Sequence, residues 1–316
     1  MGMLWFNEPA KSQEKVWPIG NGRLGAMVYG GIGKEKLCLN QDSVWYGGFI
    51  DRINPDARPS LEKVRGLIRE GKIPEAERLM KYAFSGTPQS ERPYQPLAFA
   101  EFTFYGLEGD VTDYRRELSL EDGMVTEEFR LSGRTIHKEY LASCPHGILA
   151  VQIRAEGGRI SMDALLHRKR FYDHAGKLDD RTIYIDGKLG EGGVSFLAAM
   201  RAQTDTGTVR TIGEHLIIEE AEEITLYISG ETSFYEKDRE RAAKEKLDKA
   251  CADGYEEVRK RHVEDYRELY ERVTLDLGEE GEDMPINRRM EVCRERGFDG
   301  VFGALYFQYG RYLLIS

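Results

Sequence analysis

The chain has 316 residues, 41% of them hydrophobic, which is enough to bury one large core or two ordinary ones and excludes disorder for most of its length. Its formal charge of −10 sets the surface against phosphate backbones and anionic lipid, so nucleic acid and membrane are excluded as first partners. No apolar run approaches the roughly 18 residues that span a bilayer, and Met1 to Lys15 lacks the basic-then-apolar pattern of an export signal, so the chain as given is expected to be cytoplasmic.

The first motif in chain order is Gly20-Asn21-Gly22-Arg23-Leu24-Gly25, which spells a G-x-G-x-x-G fingerprint. A dinucleotide site needs a strand before that run and a helix after it, so that the pyrophosphate meets the helix N-terminus. Here the strand-like Ala26-Met27-Val28-Tyr29-Gly30 follows, so the run is expected to be a tight turn entering a strand, with Asn21 or Arg23 tied to the backbone. The same turn could instead present Asn21 and Arg23 to a neighbouring domain or ligand.

From Leu24 to about Thr232, short alternating β-branched and aromatic segments recur between glycine turns. Leu24–Ile32, Glu101–Tyr105, Thr135–Leu141, Ile148–Ala155, Ile160–Leu166, Thr182–Ile185, Val194–Gln203, Gly207–Ile212, His215–Glu219 and Glu223–Ile228 are the clearest, and this spacing predicts a large antiparallel β-sandwich. Glu121-Asp122-Gly123 and Ser132-Gly133 are the turn chemistry that hairpins require. One helical insertion interrupts the strands: Pro59-Ser60 opens Leu61–Glu70, Gly71 closes it, and Ile73–Tyr82 follows.

Between the first strands and this insertion, Leu39-Asn40-Gln41-Asp42-Ser43-Val44-Trp45-Tyr46-Gly47-Gly48 gathers amides, a carboxylate, a hydroxyl and two aromatics. Sugars are held by such a mixture, because ring faces cover C–H patches while amides and carboxylates meet hydroxyl groups. The same residues would also make a capped loop packed on the sandwich, with Asp42 in an Asx turn. Asn21, Arg23, Asn40, Asp42 and Trp45 are therefore the candidates for a substrate-proximal or domain-interface cluster.

Other chemistry is sparse. Cys38, Cys144, Cys251 and Cys293 are far apart and are expected to be free and mostly buried. The histidines show no metal-ligand spacing, and neither a nucleophile elbow nor a phosphate-binding loop is present, so no metal and no cofactor are expected. A glycosidase carboxylate pair meets only in the fold, and Glu139, Asp163 and Glu231 read as solvated strand-end charges.

After Thr232 the period changes. Lys237 to Lys249 and Tyr255 to Tyr270 read as two amphipathic helices divided near Gly254, with a solvated charged face and a stripe of Val258, Val263, Tyr266, Leu269 and Tyr270. They are expected to connect two domains, and Gly278 to Met284 to form an acidic loop. Val301 to Leu314 is apolar or aromatic on nearly every face, the pattern of a helix buried on all sides with nothing following to cover it. The expectation is a chain that stops inside a helical domain, the alternative being a terminal helix docked on the sandwich or on a second copy.

Several of these segments together resemble one family. Trp17 to Val28, Leu39 to Gly48, Asn54-Pro55-Asp56-Ala57, Tyr94-Gln95-Pro96-Leu97, Tyr114 to Leu120, His262-Val263-Glu264-Asp265-Tyr266 and Ala304 to Ser316 resemble, in order, the opening of the α-L-fucosidases of glycoside hydrolase family 95. The chain departs from that pattern at Gln41, where the family usually has Glu, and at Ala98-Phe99, where it has Gly-Asp; Met284 to Gly300 matches loosely. The resemblance implies a mainly β fold with α: a sandwich domain similar to that of the maltose-phosphorylase relatives over residues 1–232, with the insertion near 60–82, linker helices over 233–276, and the incomplete start of an (α/α)6 catalytic barrel over 277–316. It further implies an inverting, metal-free exo-fucosidase acting on fucosylated oligosaccharide or polysaccharide. The family's catalytic Glu, Asn and Asp lie in the barrel beyond this chain, which should be silent without that barrel in cis. An α-L-galactosidase of the same family, or a non-catalytic carbohydrate-binding or scaffolding module, stays open beside it.

Overall fold

The alternation in the sequence becomes two antiparallel sheets packed face to face in a computed structural model that describes residues 3–107, 109–278 and 281–316. The strands begin with β1 (Met3–Phe6), β2 (Trp17–Gly20), β3 (Leu24–Val28) and β4 (Lys34–Gln41). After helices α1 (Ala57–Arg69) and α2 (Ile73–Ala83) come β5 (Ala98–Tyr105), β6 (Val111–Ser119), β7 (Met124–Leu131) and β8 (Arg134–Ser143). The second half holds β9 (Ile148–Glu156), β10 (Ile160–His167), β11 (His174–Asp179), β12 (Thr182–Lys188), β13 (Ser195–Thr204), β14 (Thr208–Ile212), β15 (His215–Ala221) and β16 (Glu223–Thr232). One sheet is ordered β1-β6-β7-β8-β9-β16-β13-β12-β11 and the other β14-β15-β10-β5-β4-β3-β2.

Period-two patterning sets the core. On β5, Ala98, Ala100, Phe102 and Phe104 are buried while the residues between them are less so, and Ala100 stands opposite both Leu37 of β4 and Leu166 of β10. A one-residue slip would turn all three apolar sets outward, so burial fixes the register. The β7–β8 hairpin turns on Ser132 and Gly133, both with positive φ, as their sequence predicted. Strands β1, β2, β4, β6, β7 and β11 add to those the alternation singled out, and α1 starts at Ala57, leaving Pro59 in the first turn, where its missing N–H costs nothing.

β9 is buried on both faces because helices cover its outer side. Leu149, Val151 and Ile153 enter the central core, whereas Ile148 and Ala150 join Leu141, Leu197, Ala199 and Tyr227 beneath α3 (Arg239–Asp253) and α4 (Tyr255–Tyr270). Ala243, Leu247, Ala250 and Val258 fill that second cluster, so the charge run of α3 is solvated on one side only. On α4, Leu269 is exposed, contrary to the expected stripe, and His262 takes the buried position.

Helix α5 (Ile286–Arg296) was not legible in the sequence, and α6 (Gly300–Ile315) is only partly buried. Gln308 and Tyr312 are buried, whereas Tyr306, Phe307, Leu313 and Leu314 are exposed among the described residues, so part of this apolar helix is left uncovered. Glu279 and Glu280, the centre of the expected acidic loop, lie outside the described residues. The cysteines are free, but only Cys38 is buried; Cys144 is exposed, and Cys251 and Cys293 are intermediate.

An ionic cluster bridges the two sheets inside the core. Lys138 Nζ donates to Glu127 Oε1 at 3.1 Å and to the Gly31 carbonyl at 2.5 Å, with Glu35 Oε2 at 3.6 Å. The Tyr140 hydroxyl donates to Glu35 at 2.8 Å, and Glu35 accepts the amides of Gly30 and Gly31. Burial pushes Glu127 up to about 7, with Lys138 opposing it.

Candidate functional site

At one end of the sandwich the β2–β3 turn, the segment after β4 and the segment after β16 meet. Asn21 holds the turn: Oδ1 accepts the amides of Arg23 at 3.2 Å and Leu24 at 2.9 Å, and Nδ2 donates to the Ser143 carbonyl at 3.1 Å. β3, not a helix, follows. Asn21 is thereby spent on the backbone, while Arg23 reaches outward and lies 4.1 Å above the Tyr235 ring.

Tyr235 links this turn to the next loop by donating its hydroxyl to Asp42 Oδ2 at 2.7 Å, and that carboxylate raises the Tyr235 pKa. Gln41 Nε2 donates to Asp42 Oδ1 at 2.7 Å, and Gln41 Oε1 accepts from the Ser43 amide at 2.9 Å and hydroxyl at 2.7 Å. Ser43 Oγ in turn lies 2.6 Å from Thr232 Oγ1. A neutral amide at position 41 can donate to Asp42; a carboxylate there would meet it as a like charge.

Trp45 donates Nε1 to the Asp42 carbonyl at 3.1 Å and sets its ring edge-on to Tyr94 at 5.4 Å. The Tyr94 hydroxyl lies 3.3 Å from Asn40 Oδ1 and 3.1 Å from the Gln41 carbonyl, and burial pushes its pKa up to about 12. Asn40 Nδ2 donates to the Cys38 carbonyl at 3.3 Å. Arg23, Asn40, Asp42 and Trp45 thus share one connected net, with 42% of Trp45 still exposed, and Asn21 braces its side.

Sequence reasoning missed Tyr235 and Thr232, and saw Ser43 only as the hydroxyl of the Leu39 to Gly48 run. No local signal marks Tyr235, because 193 residues separate it from Asp42; Tyr94 was visible only as part of a family motif. Of the three acids read as solvated, Glu231 is buried and bonded to Lys246 at 2.6 Å and Ser229 at 2.7 Å, and Asp163 is buried between Tyr105 and His215. Glu139 accepts from Tyr255 at 2.8 Å. Glu231 and Asp163 are structural acids stabilised by their partners, so their solvated reading is corrected, whereas Glu139 keeps partial exposure. A cavity of about 1100 Å³ opens elsewhere, between β1, the β6–β7 turn and α6, and none of the five candidates lines it.

The end of α6 lies against the same loop end. Tyr312 donates to the Pro18 carbonyl at 2.5 Å, and a Cβ on Gly20 would stand 3.0 Å from the carbonyl carbon of Ser316, so glycine permits the contact.

Comparison with known proteins places these parts. The glycosyl hydrolase family 65 N-terminal domain matches residues 4–237, and the glycosyl hydrolase family 95 catalytic domain matches residues 254–316. Similar curated proteins include Alpha-L-fucosidase 2 of Arabidopsis thaliana, 28% identical over 99% of this chain and 42% of its own length. Two proteins named Probable alpha-fucosidase A, from Aspergillus niger and Aspergillus oryzae, are each 24% identical over 99% of this chain and cover 42% and 47% of their own lengths. The chain therefore spans less than half the length of these relatives.

Proposed function

The chain belongs to the glycosyl hydrolase family 65 N-terminal domain family and carries a family 95 catalytic-domain match, and from that membership we propose that it works as the opening part of an exo-acting α-L-fucosidase. The observation that carries the reading is the order of the two matches along one chain, together with α-fucosidase relatives aligned over 99% of it. In this reading the substrate is a glycan with terminal L-fucose, the chemistry is inverting hydrolysis, and the catalytic acid and the water-activating groups come from barrel sequence following residue 316. The sandwich alone is then catalytically silent.

The loop end is the part proposed to face that barrel. Arg23, Asn40, Asp42 and Trp45 are pre-organised by hydrogen bonds and ring contacts, and the end of α6 rests beside them at Gly20. A half-exposed Trp flanked by amides and a carboxylate suits either the edge of a sugar site or a packed domain contact. The transcript across the Ser316 codon tests the reading: an open frame running into further family 95 catalytic sequence supports it, and a native stop codon there favours a stand-alone binding or scaffolding module.

A further inference from the structure

Arg168 directly follows β10, and only 8% of its surface is exposed. Its guanidinium lies 4.6 Å above the Phe196 ring, and Nη1 and Nη2 are enclosed without a hydrogen-bond partner among the described residues. Other buried cations of this sandwich have acceptors for their terminal nitrogens, although Arg116 Nε is left without one among the described residues. Arg116 donates to the carbonyls of Val28, Tyr29 and Lys15, and Lys138 pairs with Glu127. Burial with no compensating carboxylate lowers the Arg168 pKa to about 10. An uncompensated buried charge is strongly unfavourable, so a group retained in this state marks a place where an anion arrives.

The surroundings point the same way. Phe196 packs at Gly187 beside the backbone of Phe171 and Tyr172, and Phe171 rests on Tyr46 at 4.9 Å, next to the Trp45 loop. Arg92 lies against Gly47, and neither it nor exposed Lys169 and Arg170 forms an ion pair among the described residues. Asp173, the neighbouring acid, is already occupied by the Lys188 amide at 3.0 Å. Phe171 has φ at 60°, a left-handed conformation strained for an aromatic residue.

We infer that Arg168 anchors a carboxylate-binding site at the loop end, where its two Nη groups take both oxygens of a uronic-acid residue on an acidic glycan. The fork of a guanidinium matches a planar carboxylate in this way. That the carboxylate is carried by a sugar rests on the glycan reading above; the carboxylate itself rests on Arg168.

The test is calorimetry and thermal unfolding of the 316-residue chain with sodium D-glucuronate, sodium acetate or sodium chloride at equal ionic strength, beside Arg168→Met and Arg168→Lys. Glucuronate is expected to bind and raise the wild-type Tm. Arg168→Met should lose the response and, in chloride, unfold no lower than wild type; Arg168→Lys, which keeps the charge without the fork, should bind about tenfold more weakly. Equal responses to acetate and glucuronate would keep the carboxylate site and overturn the sugar as its carrier. No carboxylate response in the wild type, or an unchanged response in both variants, overturns the site while leaving the fucosidase reading intact.

Discussion

The hydroxyl of Tyr312, near the end of α6, donates to the carbonyl of Pro18 on β2 at 2.5 Å, across 294 residues of chain. Tyr312 is fully buried and stacks with Tyr309, which in turn meets Trp17 edge-on at 6.5 Å. This bond and these rings fix the direction in which the chain passes the loop end. Tyr312→Phe keeps the packing and strands the Pro18 carbonyl, at an expected cost of about 1 kcal/mol. Tyr312→Ala also opens a cavity, at roughly 3–5 kcal/mol. Urea unfolding measures both, and equal costs for the two would show that the ring contributes nothing.

The buried cluster makes stability depend on pH. Glu127 titrates at about 7 in the folded chain against a carboxylate value of 4.5 in the unfolded one. Between those values the native state holds a proton that the unfolded state has released, so this contribution is full below pH 4.5 and is lost as pH rises through about 7. Glu127→Gln is expected to flatten the fall in urea midpoint between pH 5 and 8. An unchanged slope would mean that Glu127 stays ionised in the core.

His262 tilts the acid side the opposite way. Burial lowers its pKa below 6.5, and its Nε2 lies 2.9 Å from the Asp122 carbonyl. The unfolded chain therefore takes the proton first, so this contribution is present above 6.5 and is lost as pH falls below it. Because the two slopes oppose, each is read as variant minus wild type: His262→Gln should lose less stability than wild type does between pH 6.5 and 5.

Gln41 is the departure from the family pattern that the geometry explains. Its Nε2 supplies a hydrogen bond to Asp42 at 2.7 Å, and Gln41→Glu would replace that donor by a like charge on a buried stem. The expected cost is about 1–2 kcal/mol at pH 8, partly recovered at pH 5 as one carboxyl takes a proton. A variant as stable as wild type at both values would show that Asp42 turns to solvent instead.

The sandwich was legible because alternation and turn chemistry are local. β5, the Ser132-Gly133 turn and the α4 boundaries all follow from short stretches of sequence. What could not be read depends on distant partners. Glu35 and Lys138 look like ordinary strand charges until β4 and β8 face each other, and Glu231 looks solvated until α3 brings Lys246 across it. The candidate loop was visible in its composition at Asn40, Asp42 and Trp45, whereas Tyr235 joins it only through the return of β16. Helix α5 escaped because its residues are mostly charged and exposed, with Arg289 its one buried side chain.

The most direct measurement is turnover of an aryl α-L-fucoside by the purified 316-residue chain, run beside calorimetry with L-fucose on the same sample. The account predicts no release of the aryl group above the buffer blank, whether or not fucose binds. Release that tracks the folded chain would contradict it, and would place a complete active site within the sandwich, linker and α6.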